Sequence, residues 1–251
     1  MKETNKLIKK EIWEFNENID IGIILEQGWM LEEVIKNFKN GELFYCFLID
    51  KDMYILNENG KRYLFLQSNG ASIVACRVEE MVKWKAKRIY RIGTCGALQD
   101  NISIGDVILS MAAIRDEGTS HHYLPVYFPS VSNPELLVKF KEKLLNFHIP
   151  VHIGITWTTD GRFVESNEKI LSFSQLGVKA VDMETSAFLT VCWVRKIPAI
   201  SIGIVTDKPI QDLREEFKGK IHDFSTIKII VSQLLPKIIL AIFNLERETR
   251  G

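Results

Sequence analysis

The sequence predicts one α/β domain with a central mixed, largely parallel β-sheet flanked by helices. Three observations carry that expectation. Strand-like and helix-like segments alternate along the chain without repeats, linkers or low-complexity tracts, the pattern that builds a sheet covered by helices. The run Ala199 to Val205 is almost wholly apolar, as a strand buried on both faces requires. Short polar or glycine-containing sequences follow the strand-like runs at 68–72, 93–96, 116–123, 158–165, 182–184 and 206–208. Ligands of such sheets collect at strand carboxyl ends, so these sequences are the places to look for a site.

Residues 1–251 read as a single domain, with 1–18 as an N-terminal arm and 224–246 as a long amphipathic C-terminal helix in which Pro236 introduces a kink. Apolar residues make up 46% and charged residues 25%, an ordinary balance for a globular protein. The 32 basic and 32 acidic side chains cancel, so nothing selects nucleic acid or a membrane surface as partner. Residues 1–15 are charged and lack the apolar run of a signal peptide, and the longest apolar runs are interrupted too early to span a bilayer. The four cysteines, Cys46, Cys76, Cys95 and Cys192, have no C-x-x-C spacing. A reduced, cytoplasmic protein without a structural metal is expected.

In chain order, Ile21 to Leu25 is a short apolar strand, and Met30 to Phe38 has helical spacing, with Leu31, Val34, Ile35 and Phe38 on one face. Glu42–Ile49 and Asp52–Leu56 are strands, and Asn57 to Lys61 is a hairpin signal leading into a strand at Tyr63–Gln67. A helix follows from about Ile73 to Lys85, then a strand at Ile89–Ile92 that ends in a small-residue turn, Gly93 to Gly96. Asp106–Met111 is a strand, and Asp116–Tyr127 a polar and aromatic loop. Asn133-Pro134-Glu135 opens a helix to about Phe147. Val151–Trp157 is a strand with Trp157 in the core, and 167–176 a helix. Val178 to Asp182 ends a strand, and a helix containing a core Trp193 starts near Ser186.

Two stretches carry chemistry. In Val181-Asp182-Met183-Glu184-Thr185-Ser186-Ala187 the two acids share one strand face and precede an apolar helix. They suit either negative charge at a helix start or fixed acceptors for hydroxyl groups with Met183 as an apolar floor. In Arg91-Ile92-Gly93-Thr94-Cys95-Gly96, backbone N–H groups and the Thr94 hydroxyl can face an anion, with Arg91 adding a charged fork. No G-x-G-x-x-G follows any strand, which disfavours a dinucleotide-dependent oxidoreductase.

Taken together and in order, Arg-x-Gly-Thr-Cys-Gly-Ala near residue 91, Val-Asp-Met-Glu-Thr-Ser-Ala near residue 181 and a buried strand ending in Asp207 resemble the nucleoside phosphorylase/nucleosidase superfamily, of the purine and uridine phosphorylase type. The resemblance implies that fold, and a homo-oligomer, either a dimer or a trimer of dimers. It implies phosphorolysis of a nucleoside to free base and ribose 1-phosphate, with inorganic phosphate as co-substrate and no cofactor or metal. Carried over by position, Arg91, Gly93 and Thr94 bind phosphate. Met183, Glu184, Asp182 and His122 bind ribose, His122 in its own site or a neighbour's. Phe163 packs on the base, and Asp207 protonates it, which favours purines. Glu184 and Asp207 are the catalytic pair. General-acid work by Asp207 requires a proton near neutral pH, which burial supplies by raising its pKa.

One segment departs from the family. Phosphorylases of this type have Gly-Asp-Pro with a nearby Arg after the first strand, and here Glu26 replaces the Gly and Met30 the Arg. Hydrolytic relatives use an acid after that strand to activate water, a part open to Glu26, Glu32 or Glu33. Nucleosidase action and non-catalytic nucleoside binding therefore stand as alternatives.

Overall fold

A computed structural model describes residues 8–162, 164–212 and 224–249. Phe163 lies outside the described residues. The strands are β1 (Lys9–Ile12), β2 (Ile21–Leu25), β3 (Glu42–Cys46), β4 (Lys51–Glu58), β5 (Lys61–Gln67), β6 (Arg88–Ala97), β7 (Val107–Asp116), β8 (Ser130–Val131), β9 (Val151–Thr159), β10 (Ala180–Asp182) and β11 (Ala199–Asp207). The helices are α1 (Gly28–Asn37), α2 (Ala71–Lys83), α3 (Pro134–Leu145), α4 (Asn167–Gln175), α5 (Thr185–Val194), α6 (Pro209–Asp212) and α7 (Phe224–Glu248), with a 3-10 turn at Ser120–His122.

All eleven strands form one mixed sheet in the order β1-β3-β4-β5-β2-β6-β10-β9-β7-β11, with β8 on β7. β2 runs parallel to β5 and β6, β9 parallel to β7 and β10, and β11 parallel to β6. β6 pairs with β11 as well, so β6, β10, β9, β7 and β11 close into a ring.

Alternation along the strands divides the core into two faces. Ile21, Ile23 and Leu25 of β2, Tyr90 and Ile92 of β6, and Ile200, Ile202 and Ile204 of β11 join the apolar sides of α1, α3 and α7. Ile24, Leu64, Leu66 and Ile89 join α2 and α5 on the opposite face. By the same alternation Arg91 and its register partner Ser201 sit out of the first core.

Helix boundaries follow local chemistry. The Asn133 side chain accepts from the Leu136 N–H at 2.8 Å and Pro134 fills the first turn of α3. Ser166 caps α4 in the same way. α7 continues through Pro236. Near its end the buried Glu246 accepts from Lys61 at 2.8 Å, Arg88 at 2.6 Å and Tyr90 at 2.6 Å, which ties the helix to β5 and β6. Such a buried charge persists because it is fully paired.

Several expectations are corrected. Gly93 to Gly96 is strand rather than turn, because β11 pairs along β6 as far as Gly96 and β10 pairs at Gly96 and Ala97. Part of the expected arm is strand β1, held parallel to β3. Trp193 is 51% exposed, whereas Trp157 is buried and donates to Asp116 at 2.9 Å. By length and composition α7 could cross a membrane, contrary to the sequence reading. Here Val231, Leu235, Ile238, Ile239 and Ile242 complete the core over α1 and α3.

Candidate active site

The site forms where one strand changes partners. β2 accompanies β6 only as far as Ile92, and β10 joins the same edge at Gly96. Between them the Thr94 N–H has no strand carbonyl. It donates instead to the Glu26 carboxylate, Oε2, at 2.5 Å, while the Thr94 hydroxyl donates to Oε1 at 2.9 Å. Glu26 follows β2 directly, held by its own N–H to the Ile92 carbonyl at 3.1 Å. The donors that the sequence assigns to phosphate are thus engaged by a side chain of the protein.

Arg91 is 1% exposed and is the centre of the charge. Its Nη1 lies 3.0 Å from Asp182 Oδ2 and donates to Ser201 Oγ at 3.2 Å and Thr185 Oγ1 at 3.4 Å. Its Nη2 donates to Glu184 Oε2 and lies 3.4 Å from Glu26 Oε2. Burial works against the charged guanidinium, but Asp182, Glu184 and Glu26 outweigh it, so the pKa of Arg91 is raised.

The two acids beside Met183 do different things. Both oxygens of Asp182 are taken by protein donors: Oδ1 accepts from Thr158 Oγ1 at 2.8 Å and from the Thr185 N–H at 3.3 Å, and Oδ2 accepts from Thr185 Oγ1 at 2.5 Å and forms an ion pair with Arg91. Asp182 therefore supports the helix start and positions Arg91. Glu184 occupies the N-cap position of α5, but its side chain makes no cap bond. It reaches across to the Gly70 N–H at 2.8 Å and to Arg91. Met183 between them is half-buried. The helix-start explanation thus fits Asp182 and fails for Glu184.

Burial pushes the Glu184 carboxyl up to about 7, against the pull of Arg91 and with the charges of Glu26 and Asp182 adding to the rise. The folded state then holds this proton more tightly than the unfolded chain does. Its contribution to stability is complete below the ordinary pKa of 4.5 and is lost as pH rises through about 7. The stability difference between wild type and Glu184→Gln, followed by urea unfolding, should therefore fall as pH rises through that window. A difference without slope there would contradict the assignment.

Asp207, at the end of β11, pairs in register with Gly96. A Cβ on Gly96 would meet Asp207 Oδ2 at 3.1 Å and Pro209 at 2.8 Å, so the glycine permits this approach. Asp207 is half-buried rather than enclosed, because it lies at the open carboxyl end of its strand. Its charge reaches Glu165, which burial first and Asp207 second push up to about 7. The Cys95 thiol is buried, which raises its pKa, and the charges of Asp182 and Asp207 add to the rise. His122 is exposed on the 3-10 turn and is not brought to this cluster. The turn is braced by Arg115, which donates to Ser120, Leu124, Pro125 and Phe128.

Sequence reasoning pointed to the segments that hold Gly70 and Glu117 without singling those residues out, and it missed Ser201. Buried Glu117 accepts from the Thr119 N–H at 2.6 Å and from Ser186 Oγ at 2.8 Å, linking the His122 loop to α5. Ser201 carried a signal, a lone hydroxyl inside an apolar strand.

Fold and site together define a mixed-sheet α/β protein whose polar side chains gather at adjacent strand ends around one buried arginine. The family model described as Phosphorylase superfamily matches residues 20–241, and the chain belongs to that family, as the sequence motifs implied. It is 26% identical over 190 residues to uridine phosphorylase of Haemophilus influenzae, covering 65% of this chain and 75% of the relative. To the DeoD-type purine nucleoside phosphorylase of Buchnera aphidicola it is 25% identical over 183 residues, covering 71% and 78%. The crystal structure of uridine phosphorylase from Vibrio fischeri superposes with a TM-score of 0.75 at 23% identity, covering 90% of each chain, and has the same fold.

Proposed function

We propose that this chain cleaves the N-glycosidic bond of a nucleoside, purines favoured, and releases the free base. The observation that carries this reading is the pairing of Arg91, inside β6, with Glu184, just after β10, while Asp207 at the end of β11 lies in register with Gly96 of the same β6. Cleavage passes through an oxocarbenium-like sugar, as in O-glycoside hydrolysis. Glu184 would accept from the ribose hydroxyls with Met183 against the sugar face. Asp207 would give its proton to the base nitrogen as the bond breaks, which suits a purine.

The names of the relatives, uridine and purine nucleoside phosphorylases, support phosphate as nucleophile and ribose 1-phosphate as product. A second reading, hydrolysis, is supported by Glu26, whose carboxylate engages the donors a phosphate would use. Of the other acids after β2, Glu33 is bonded to Asn37 at 2.9 Å and Glu32 is exposed. The exposed His122 is free to serve a neighbouring copy in a homo-oligomer.

Base release from inosine, adenosine, methylthioadenosine and uridine, each with and without phosphate, tests the reading. Purine nucleosides should turn over faster than uridine. Turnover of uridine alone would overturn the role of Asp207. Nucleoside binding without turnover of any substrate would overturn the enzymatic reading.

A further inference from the structure

The carboxyl ends of β7, β9 and β10 are in register, with Arg115, Thr158 and Asp182 in one row. Glu117 lies just past that row, directly after β7. It is 3% exposed, and its carboxylate faces two segments at once. Oε2 accepts from the Thr119 N–H at 2.6 Å and the Ser120 N–H at 3.0 Å, which folds the polar loop back on its own strand. Oε1 accepts from Ser186 Oγ at 2.8 Å, in the first turn of α5. From Ser186 the bonds continue inward. Its N–H donates to Thr158 Oγ1 at 3.0 Å, and that hydroxyl donates to Asp182 Oδ1 at 2.8 Å. Asp182 Oδ2 lies 3.0 Å from Arg91 Nη1, while Arg91 Nη2 donates to Glu184. Glu184 in turn accepts from the N–H of Gly70, the N-cap residue of α2, at 2.8 Å. The chain thus runs from the Ser120 amide to the Gly70 amide. Glu117, Ser186, Thr158, Asp182, Arg91 and Glu184 are all buried, where linked hydrogen bonds strengthen one another.

The start of α5 shows what this chain does. Glu184 holds the N-cap position yet gives the helix no cap bond. Asp182 takes the Thr185 N–H and Thr158 the Ser186 N–H, so two other residues satisfy the first turn. The Glu184 carboxylate is left to the site, and its backbone is held between Asp182 on one side and Ser186 on the other. The Ser186 hydroxyl ties that backbone to Glu117. On the reading that Glu184 accepts from the ribose hydroxyls, we propose that Glu117 is a positioning residue: it acts through Ser186 to set Glu184, and so couples the Thr119–Ser120 loop to the Arg91 cluster. The loop and the sugar-holding carboxylate then order together.

The test follows amide hydrogen exchange by NMR in wild type, Ser186→Ala, Glu117→Met and the double variant. Ser186→Ala removes one hydroxyl and leaves the Glu117 bonds to Thr119 and Ser120 in place. The Gly70 amide, whose bond goes to Glu184 and not to Ser186, should exchange about 10-fold faster in Ser186→Ala, the worth of a hydrogen bond to a charged group. Glu117→Met should do the same, and the double variant should add nothing at Gly70, because both changes cut one link. A rise at Gly70 no larger than that at Ile202, whose amide reports global stability, would overturn the proposal, as would additive effects in the double variant. If these variants do not fold, the isosteric Thr158→Val cuts the next link and the Ser120 amide decides: faster exchange supports the chain and an unchanged rate refutes it. In base release from inosine, Ser186→Ala should lower kcat about 10-fold with KM within about 2-fold of wild type, the split expected when positioning for the transition state is lost. Wild-type kcat beside an altered Gly70 amide would refute the positioning role. Exchange as expected, with no nucleoside cleaved by any form, would sustain the coupling and sink the proposed activity. Turnover with an unmoved Gly70 amide would do the reverse.

Discussion

Replacing Arg91 by methionine is expected to destabilise the fold by about 3–5 kcal/mol, the usual cost of removing one partner from a buried charge cluster. Methionine follows the path of the arginine stem, so the loss falls mainly on the charge. Glu26, Asp182 and Glu184 would then remain buried at one point without their shared cation. Part of the loss should return in the double variant Arg91→Met with Glu26→Gln, because one carboxylate of the cluster is removed, and a double-mutant cycle reads that coupling. Urea unfolding at neutral pH measures both. A loss under about 1 kcal/mol, the range of an exposed ion pair, would show that the arginine does not hold the cluster together.

Asp207→Asn should slow base release from a purine nucleoside by about 10²–10⁴-fold, the range general acid catalysis contributes. Stability should change little, since Asp207 is half-buried at a strand end and the amide keeps an acceptor for the Thr206 hydroxyl, now at 3.1 Å. The discriminating readout is a riboside with an activated leaving group that departs without protonation. Its cleavage should be nearly unaffected. Equal losses on both substrates would assign Asp207 to positioning instead of proton transfer.

Much of the fold and site was legible in the sequence, for identifiable reasons. The unbroken apolar run at β11 marked a central strand, Asn133-Pro134 marked the start of α3, and polar residues at or just after strand ends marked Glu184 and Asp207, while Arg91 was marked by its place two residues before the Gly93 to Gly96 segment. These are local patterns. What escaped depends on contacts between distant segments. Gly93 to Gly96 has the composition of a turn, and only pairing with β10 and β11 makes it strand. Lys9 to Ile12 has no strand-like pattern, and β3 imposes its extended form. No local signal says whether Glu26 faces Thr94 or turns away, because that bond spans 68 positions. The division of labour between Asp182 and Glu184 likewise required Thr158, Gly70 and Ser201 to be seen around them.

The closure of β6, β10, β9, β7 and β11 on one another has a kinetic consequence. A strand in a closed ring moves only if hydrogen bonds on both its flanks break together, a fluctuation as rare as global unfolding. The backbone carrying Arg91, Asp182 and Asp207 is therefore fixed on the timescale of ligand entry. Adjustment to an arriving molecule falls to the connections between strands, such as the stretch around Ser120 to His122. Amide exchange separates the two regimes: the amides of Ile202 and Ile204 should exchange only through global unfolding, and those near His122 through fast local opening. The rate at which the site admits and releases its ligands is then a property of loops, while its selectivity is a property of the barrel-like frame beneath them.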